Sequence, residues 1–454
     1  MPKPRLKWPN RNSLFVFRWS KKKANTCNHD HKPIWFFSIS SASGLYRDNY
    51  SNWRMDAMEE IEIVIVGGGI CGLATALALH RKGIKSVVLE KSETLRSTGA
   101  GITIRANGWC ALHQLGVASN LRLTALPIQG GKDICLANGQ QQEISIEKGE
   151  IRCLRRSELI TSLAESLPPG TIHLGCEVLS ITPDPLSSYS IIQLQNGGTI
   201  KAKVLIGCDG ANSVVADFLG LKPLKFFSLS EVRGYTEYPS GHDFKNEYAQ
   251  VRGDHSMIGM IPIDNKLVYW FVTHKANPKD VVAKDPELLQ QLTLEAIKGF
   301  PTEMLDMVKH SDRDSLSLAR LRYHAPWDIL LESFRKGTVT VAGDAMHVMG
   351  PFLAQGGSAA LEDAIILARC LAQKRHEIDI KTNGSQVIAH KVGEALDQYV
   401  KERRMRLVRL STQTYLTGLL TKNPPLLVRF VCNLLMTVLF SDPTAHSRYD
   451  CGRL

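Results

Sequence analysis

The alternation of apolar and polar positions becomes regular at Ile61. Residues 61–66, Ile-Glu-Ile-Val-Ile-Val, are a short β-branched run of the kind that forms a buried parallel strand. From 70 to 82 the apolar spacing changes to that of a helix, with Ile70, Leu73, Ala74, Leu77 and Ala78 on one face and Gly83 as its stop. Residues 86–90 read as a second strand. The three pieces form a βαβ unit of about thirty residues with an expected right-handed crossover.

Further along, 155–167 reads as a helix, and strand-like runs lie near 171–180 and 190–195. Residues 203–207 form another buried strand. Between about 225 and 330 the pattern turns strand-rich and irregular, as in Lys266-Leu267-Val268-Tyr269-Trp270-Phe271-Val272. A further apolar strand over 338–342 runs into Gly343-Asp344, and a helix follows over 357–373. The nucleotide-binding pattern therefore stands at both ends of a sheet-rich insert. This predicts an α/β chain with a discontinuous Rossmann-like domain over 58–224 and 335–390. A substrate domain is inserted at 225–334, and helices close the chain from 391 to 454. Residues 426–440, after Pro424-Pro425, are apolar but shorter than the roughly 20 residues of a membrane span, and they contain Arg429 and Asn433. They read as a packed terminal helix, with a weakly membrane-associated interfacial helix as the alternative.

Charge changes the picture at the N-terminus. The net charge is +11, but residues 1–57 hold eleven Lys/Arg against three Asp, which leaves 44 basic against 41 acidic residues in the remainder. The globular part is close to neutral and has no basic stripe interleaved with aromatics, so nucleic acid is not expected as a partner. The segment 1–57 shows no sustained period and reads either as an unstructured extension or as a transit peptide. The expected location is thus cytoplasmic, or a chloroplast or mitochondrion if the segment is a targeting signal. The ten cysteines include no Cys-x-x-Cys pair and no zinc-finger spacing to histidine, so they read as free thiols and no metal site is expected.

The first chemical signal is Gly67-Gly68-Gly69-Ile70-Cys71-Gly72, a G-x-G-x-x-G between the first strand and its helix, with Glu90 at the end of the next strand. In that setting Gly67 permits the tight turn, Gly69 lets the backbone approach a pyrophosphate, and Gly72 allows close helix–strand packing. The helix N-terminus offers unpaired N–H groups to phosphate, and Glu90 suits a ribose hydroxyl pair. Asp209 follows a buried strand, where an acid faces a ligand crevice or else caps a helix over 211–219.

More motifs follow in order: Gly99-Ala100-Gly101-Ile102, Asn107-Gly108, Arg156-Ser157-Glu158-Leu159 and Cys208-Asp209-Gly210. They end with Gly343-Asp344-Ala345-Met346-His347, Pro351, Gln355-Gly356-Gly357 and Glu362-Asp363-Ala364. With these the chain resembles, over about 59–415, the single-component FAD-dependent aromatic hydroxylases, and among them plant monooxygenases similar to salicylate hydroxylase and zeaxanthin epoxidase. The resemblance implies FAD as cofactor, NAD(P)H as electron donor, and transfer of one oxygen atom of O2 to a small organic substrate through a flavin hydroperoxide. An isoprenoid epoxidase and a FAD-binding protein without turnover are the alternatives. The resemblance also implies that Gly101 and Arg156 lie against FAD, that Asp209 contacts FAD and NAD(P)H, and that Asp344 holds the ribityl chain. Gly356 and Gly357 would open a helix toward the flavin ring, and Arg233 would be a substrate-side catalytic arginine. His347 reads as structural. Two departures stand out: Ala354 replaces the first glycine of a Gly-Gln-Gly, and Ile261 stands where some relatives place a catalytic tyrosine.

Overall fold

The computed structural model describes residues 58–95, 101–144, 149–277, 285–375, 385–421, 424–440, 442 and 444–454. Outside these it gives only a two-residue antiparallel pairing of Phe15–Val16 with Ser40–Ser41. The expectations for 1–57 otherwise lie outside the described residues.

The strand β1 (Glu59–Val66), the helix α1 (Ile70–Arg81) and the strand β2 (Val87–Leu89) form the anticipated βαβ unit. The long strand β3 (Thr199–Gly207) lies parallel to β1 on one side. On its other side it is parallel to a short strand over Val339–Val341. Ile172–His173 extends the parallel set beyond β2, and the antiparallel strands Val178–Pro183, Ser190–Leu194 and Arg335–Lys336 bring this sheet to eight strands. Register explains why distant motifs meet. Gly207 pairs with Val66 on one side and with Val341 on the other. The turns that begin at Gly67, Cys208 and Ala342 consequently leave the sheet at the same carboxyl edge, where open α/β sheets bind ligands.

A second, seven-stranded sheet stands over this edge. Its order is Ser317–Tyr323, β4 (Lys225–Glu237), β7 (Leu267–Lys275), β6 (Ser256–Pro262), β5 (Glu247–Arg252), Gly130–Cys135 and Gln141–Ile144. It recruits two strands from within 58–224, so the chain crosses between the layers well before residue 225. The apolar run over 267–275 is irregular in sequence because both of its faces are covered. Val268, Trp270 and Val272 pack in a core with Leu289, Met304 and Val308 of two helices behind the sheet. Tyr269, Phe271 and Thr273 alternate to the other face and line a cavity.

Helix α3 (Gly356–Arg375), preceded in the chain by α2 (Ala106–Leu115), is almost wholly buried against α1, and the 36-residue α4 (Ser385–Leu420) packs along it. The terminal apolar stretch does form a helix, α5 (Leu426–Leu439), but the expected packing is corrected. Cys432 is its one buried side chain, whereas Leu427, Phe430 and Val438 are 74%, 66% and 69% exposed. Its polar residues Arg429, Asn433 and Thr437 fall four apart on one stripe, but the apolar remainder mostly faces outward and only a narrow stripe meets the body. Among the described residues no helix is long and apolar enough to cross a membrane.

Candidate active site

One continuous cavity of about 1390 Å3 runs from the turn after β1 to the inner face of the second sheet. A single small-molecule pocket occupies roughly 300–1,000 Å3. The space accommodates a large cofactor and a substrate end to end.

Each glycine of the first turn has its own reason. Gly67 adopts φ +106°, and a Cβ there would sit 2.4 Å from the Cys208 carbonyl oxygen. A Cβ on Gly72 would lie 1.9 Å from the Gly67 carbonyl oxygen, so the helix closes on its own turn. Gly69 is different, because nothing lies within 4 Å of a Cβ placed there. Its bare side faces the cavity, and as N-cap of α1 it makes no side-chain capping bond. The first turn of α1 holds no acidic residue, so its positive dipole end is open to an anion. The Glu90 carboxylate accepts from the Gly68 N–H at 2.6 Å and from the Ser92 N–H at 3.0 Å. It steadies the turn, and a carboxylate with about four acceptor sites has capacity left for ribose hydroxyls.

The other expected cofactor residues come to the same cavity. Gly101 lines it, and a Cβ there would collide with the Tyr269 ring at 2.6 Å, which gives the glycine a packing reason. Arg156 opens the helix Arg156–Glu165 at the cavity wall. Asp344 is exposed into the cavity at the start of a single helical turn after Gly343. Asp209 both lines the cavity and caps. Its carboxylate accepts from Ser213 Oγ at 2.5 Å and the Val214 N–H at 2.8 Å, while Ser213 caps the helix Val214–Leu219. Burial pushes its carboxyl above the usual range, against those hydrogen bonds. At the far end Gly356 begins α3 with no atom within 4 Å of a Cβ, while Gly357 rests on Ile102. Two helix N-termini thus open on one cavity, at the positions a dinucleotide and its ring would need, and the residues fit FAD.

Beneath the 343–357 loop lies a polar network that the sequence did not reveal. Asp363 accepts from the Gly343 N–H at 2.8 Å and lies 2.6 Å from His347 Nε2. Glu362 receives Arg406, the Asn107 amide at 2.5 Å and an ion pair with Arg403 Nη1 at 2.8 Å. The Asn107 amide also donates to Gln355 Oε1 at 2.9 Å. Burial alone would raise the Asp363 carboxyl, but His347 and Arg403 outweigh it and hold it at about 2. His347 is fully buried and outside the cavity, as expected of a structural residue.

Arg233 projects into the cavity from β4, with Nε 2.5 Å from Glu231 Oε1. Glu231 is 2% exposed, also accepts from Thr273 Oγ1 at 3.2 Å, and was not singled out in the sequence. Its signal was an acid and a base two apart on one strand face. Its charge raises the Arg233 pKa. Ile261 lines the wall as an apolar residue, so no phenol acts from that position.

The model of the FAD binding domain family matches residues 60–413. The chain belongs to this family. Monooxygenase 1 of Arabidopsis thaliana is 49% identical over 401 residues, spanning 87% of this chain and 100% of that protein. Monooxygenase 2 of the same plant is 36% identical over 405 residues, spanning 87% and 98%. The solved structure of Klebsiella pneumoniae HpxO complexed with FAD and uric acid matches with a TM-score of 0.69 at 18% identity. That match covers 88% of this chain and 97% of that one, and it shows a shared fold. FAD is the cofactor of this α/β fold.

Proposed function

We propose that this FAD-dependent monooxygenase takes electrons from NAD(P)H and inserts one oxygen atom of O2 into a small aromatic or related organic molecule. The supporting observation is one continuous cavity lined at one end by the loop at Gly356-Gly357 and on its wall by Arg233, Tyr248, Tyr269 and Phe271. Reduced FAD supplies the electrons that activate O2. The protein's share is positional. Gly69 and the N-terminus of α1 take the pyrophosphate, Glu90 the adenosine ribose, and Asp344 the ribityl hydroxyls, with Arg156 and Asp209 alongside. The N-terminus of α3 places a positive dipole end where the flavin ring gains negative charge. The aromatic wall holds a flat substrate close and excludes water.

The test is NAD(P)H oxidation by the FAD-loaded chain with a panel of phenolic acids, following peroxide and product together. Stimulated oxidation with an oxygenated product supports the reading. FAD retention without stimulation by any compound removes the small-aromatic substrate.

A second reading, an epoxidase acting on an isoprenoid drawn from a membrane surface, is favoured by α5. Its outward face is apolar, and Arg429 is the one charged residue between 424 and 440.

A further inference from the structure

Among the described residues, the cavity wall carries an arginine with no ion-pair partner. Of its arginines, Arg233 is committed to Glu231 and Arg252 to Asp133. The guanidinium of Arg105 has no hydrogen bond or ion pair among the described residues, and its Nε is buried without an acceptor. Burial pulls its pKa down, and the polar group it faces across the cavity is the uncharged phenol of Tyr248, which burial keeps protonated. A charge drawn out of water without a partner is destabilising unless a ligand pairs with it.

Its position narrows what that ligand is. Arg105 follows the strand Gly101–Ile104 and is the N-cap of α2. Three residues before it, Ile102 supports Gly357, and two residues after it, Asn107 is bonded to Gln355. Arg105 therefore stands beside the 355–357 loop, which the monooxygenase reading assigns to the flavin ring. Across the cavity Tyr248 stacks on Phe271 with 12° between the ring planes. The pair Glu231–Arg233 on the same wall is internally neutralised.

We propose that Arg105 is the specificity-determining cation of the substrate pocket, binding an anionic oxygen group of a flat substrate and orienting its ring between Tyr248 and the flavin. The proposal rests on the monooxygenase reading and adds the charge of its substrate. The anionic group is a carboxylate or an acidic enol, and a neutral isostere is rejected because it leaves the guanidinium unpaired. Loss of one charge-assisted hydrogen bond to a buried partner corresponds to about 10- to 100-fold in affinity.

The test is ligand binding to oxidised, FAD-loaded full-length protein, read by perturbation of the flavin spectrum, which needs neither NAD(P)H nor turnover. The probes are the three hydroxybenzoates, their hydroxybenzamides, and cyclic acidic enols with their O-methyl ethers. At least one anion should bind 10-fold or more tightly than its neutral partner, with the two series showing which oxygen acid is preferred. In Arg105→Gln that preference should vanish with the FAD spectrum intact, and Arg105→Lys should keep part of it. The proposal is overturned if wild type shows no preference in either series, or if Arg105→Gln weakens anion and neutral partner equally. It is also overturned if Arg105→Gln releases FAD while Arg105→Lys leaves the preference unchanged. Because NAD(P)H oxidation is measured separately, failure here is distinguishable from failure of the monooxygenase reading.

Discussion

Arg403 reaches from α4 to place its Nε 2.6 Å from Asp363 Oδ1 of α3, and both side chains are fully buried. Asp363 also receives the Gly343 N–H, so the pair joins a C-terminal helix to the turn that presents Asp344. Removing one member of a buried pair strands the other, at a cost of about 3–5 kcal/mol. Arg403→Met should therefore lower the unfolding free energy by that amount and accelerate FAD loss. Urea unfolding and the fluorescence of released FAD check it. An unchanged midpoint would mean that the pair does not hold the loop.

The same carboxylate sets an acid limit. Its folded pKa of about 2 lies below the unfolded value of roughly 4, so its contribution is complete above pH 4 and disappears as pH falls from about 4 to 2. The amount is on the order of 2 kcal/mol. The difference in stability between wild type and Asp363→Asn, followed from pH 6 to pH 2, should shrink across that window. A constant difference would rule the linkage out.

Ala354 is the one non-glycine with positive φ among the described residues, at φ 50° and ψ 41°. Left-handed backbone costs such a residue roughly 1–2 kcal/mol, while glycine loses roughly 0.4–1 kcal/mol through its freer unfolded chain. Ala354→Gly should thus gain up to about 1 kcal/mol, seen as a melting temperature higher by a few degrees, with the FAD spectrum unchanged. A lower melting temperature would show that the surrounding loop relieves the strain.

The glycines of the first turn should separate folding from cofactor binding. Gly72→Ala places a methyl 1.9 Å from the Gly67 carbonyl oxygen, so the βαβ unit must distort and little soluble protein is expected. Gly69→Ala meets no protein atom within 4 Å and should fold with an unchanged melting curve as apoprotein, yet hold FAD at least 10-fold more weakly. Circular dichroism and FAD titration of both variants decide it. Equal FAD affinity in Gly69→Ala would move the pyrophosphate away from this turn.

What was legible in the sequence was local. The strand, glycine turn and helix at 61–82 lie within one short stretch, so spacing alone specified them. Asp344 and Gly356-Gly357 were singled out through the family resemblance, and their place in the cavity follows from the strand and helix at whose ends they stand. The capping bonds of Asp209 emerged because its partners are four and five residues away. Arg105, Glu231 and Arg403 were not legible. Glu231 and Arg105 are defined by facing a cavity whose walls come from different sheets, and Arg403 by a partner 40 residues away on another helix. The side chains of 267–275 hid their alternation because both faces of that strand are covered. The solvent face of α5 was hidden because an apolar helical stripe reads as a packing face whether or not the body of the protein covers it.

That helix gives the last prediction. Leu427, Phe430, Val431, Leu434 and Val438 are all exposed, a patch that a soluble monomer rarely leaves to water. An interfacial helix of this kind binds lipid through its apolar face, and Arg429 adds attraction to an anionic surface. The full chain should float with vesicles containing anionic lipid and less with neutral ones. A Leu427→Asp/Phe430→Asp/Val438→Asp variant changes only exposed positions, so it should keep its melting temperature and FAD while remaining at the bottom of the gradient. If wild type does not float, the membrane-fed epoxidase loses its support, and a wild-type dimer that the same variant splits would assign the face to a second copy of the chain.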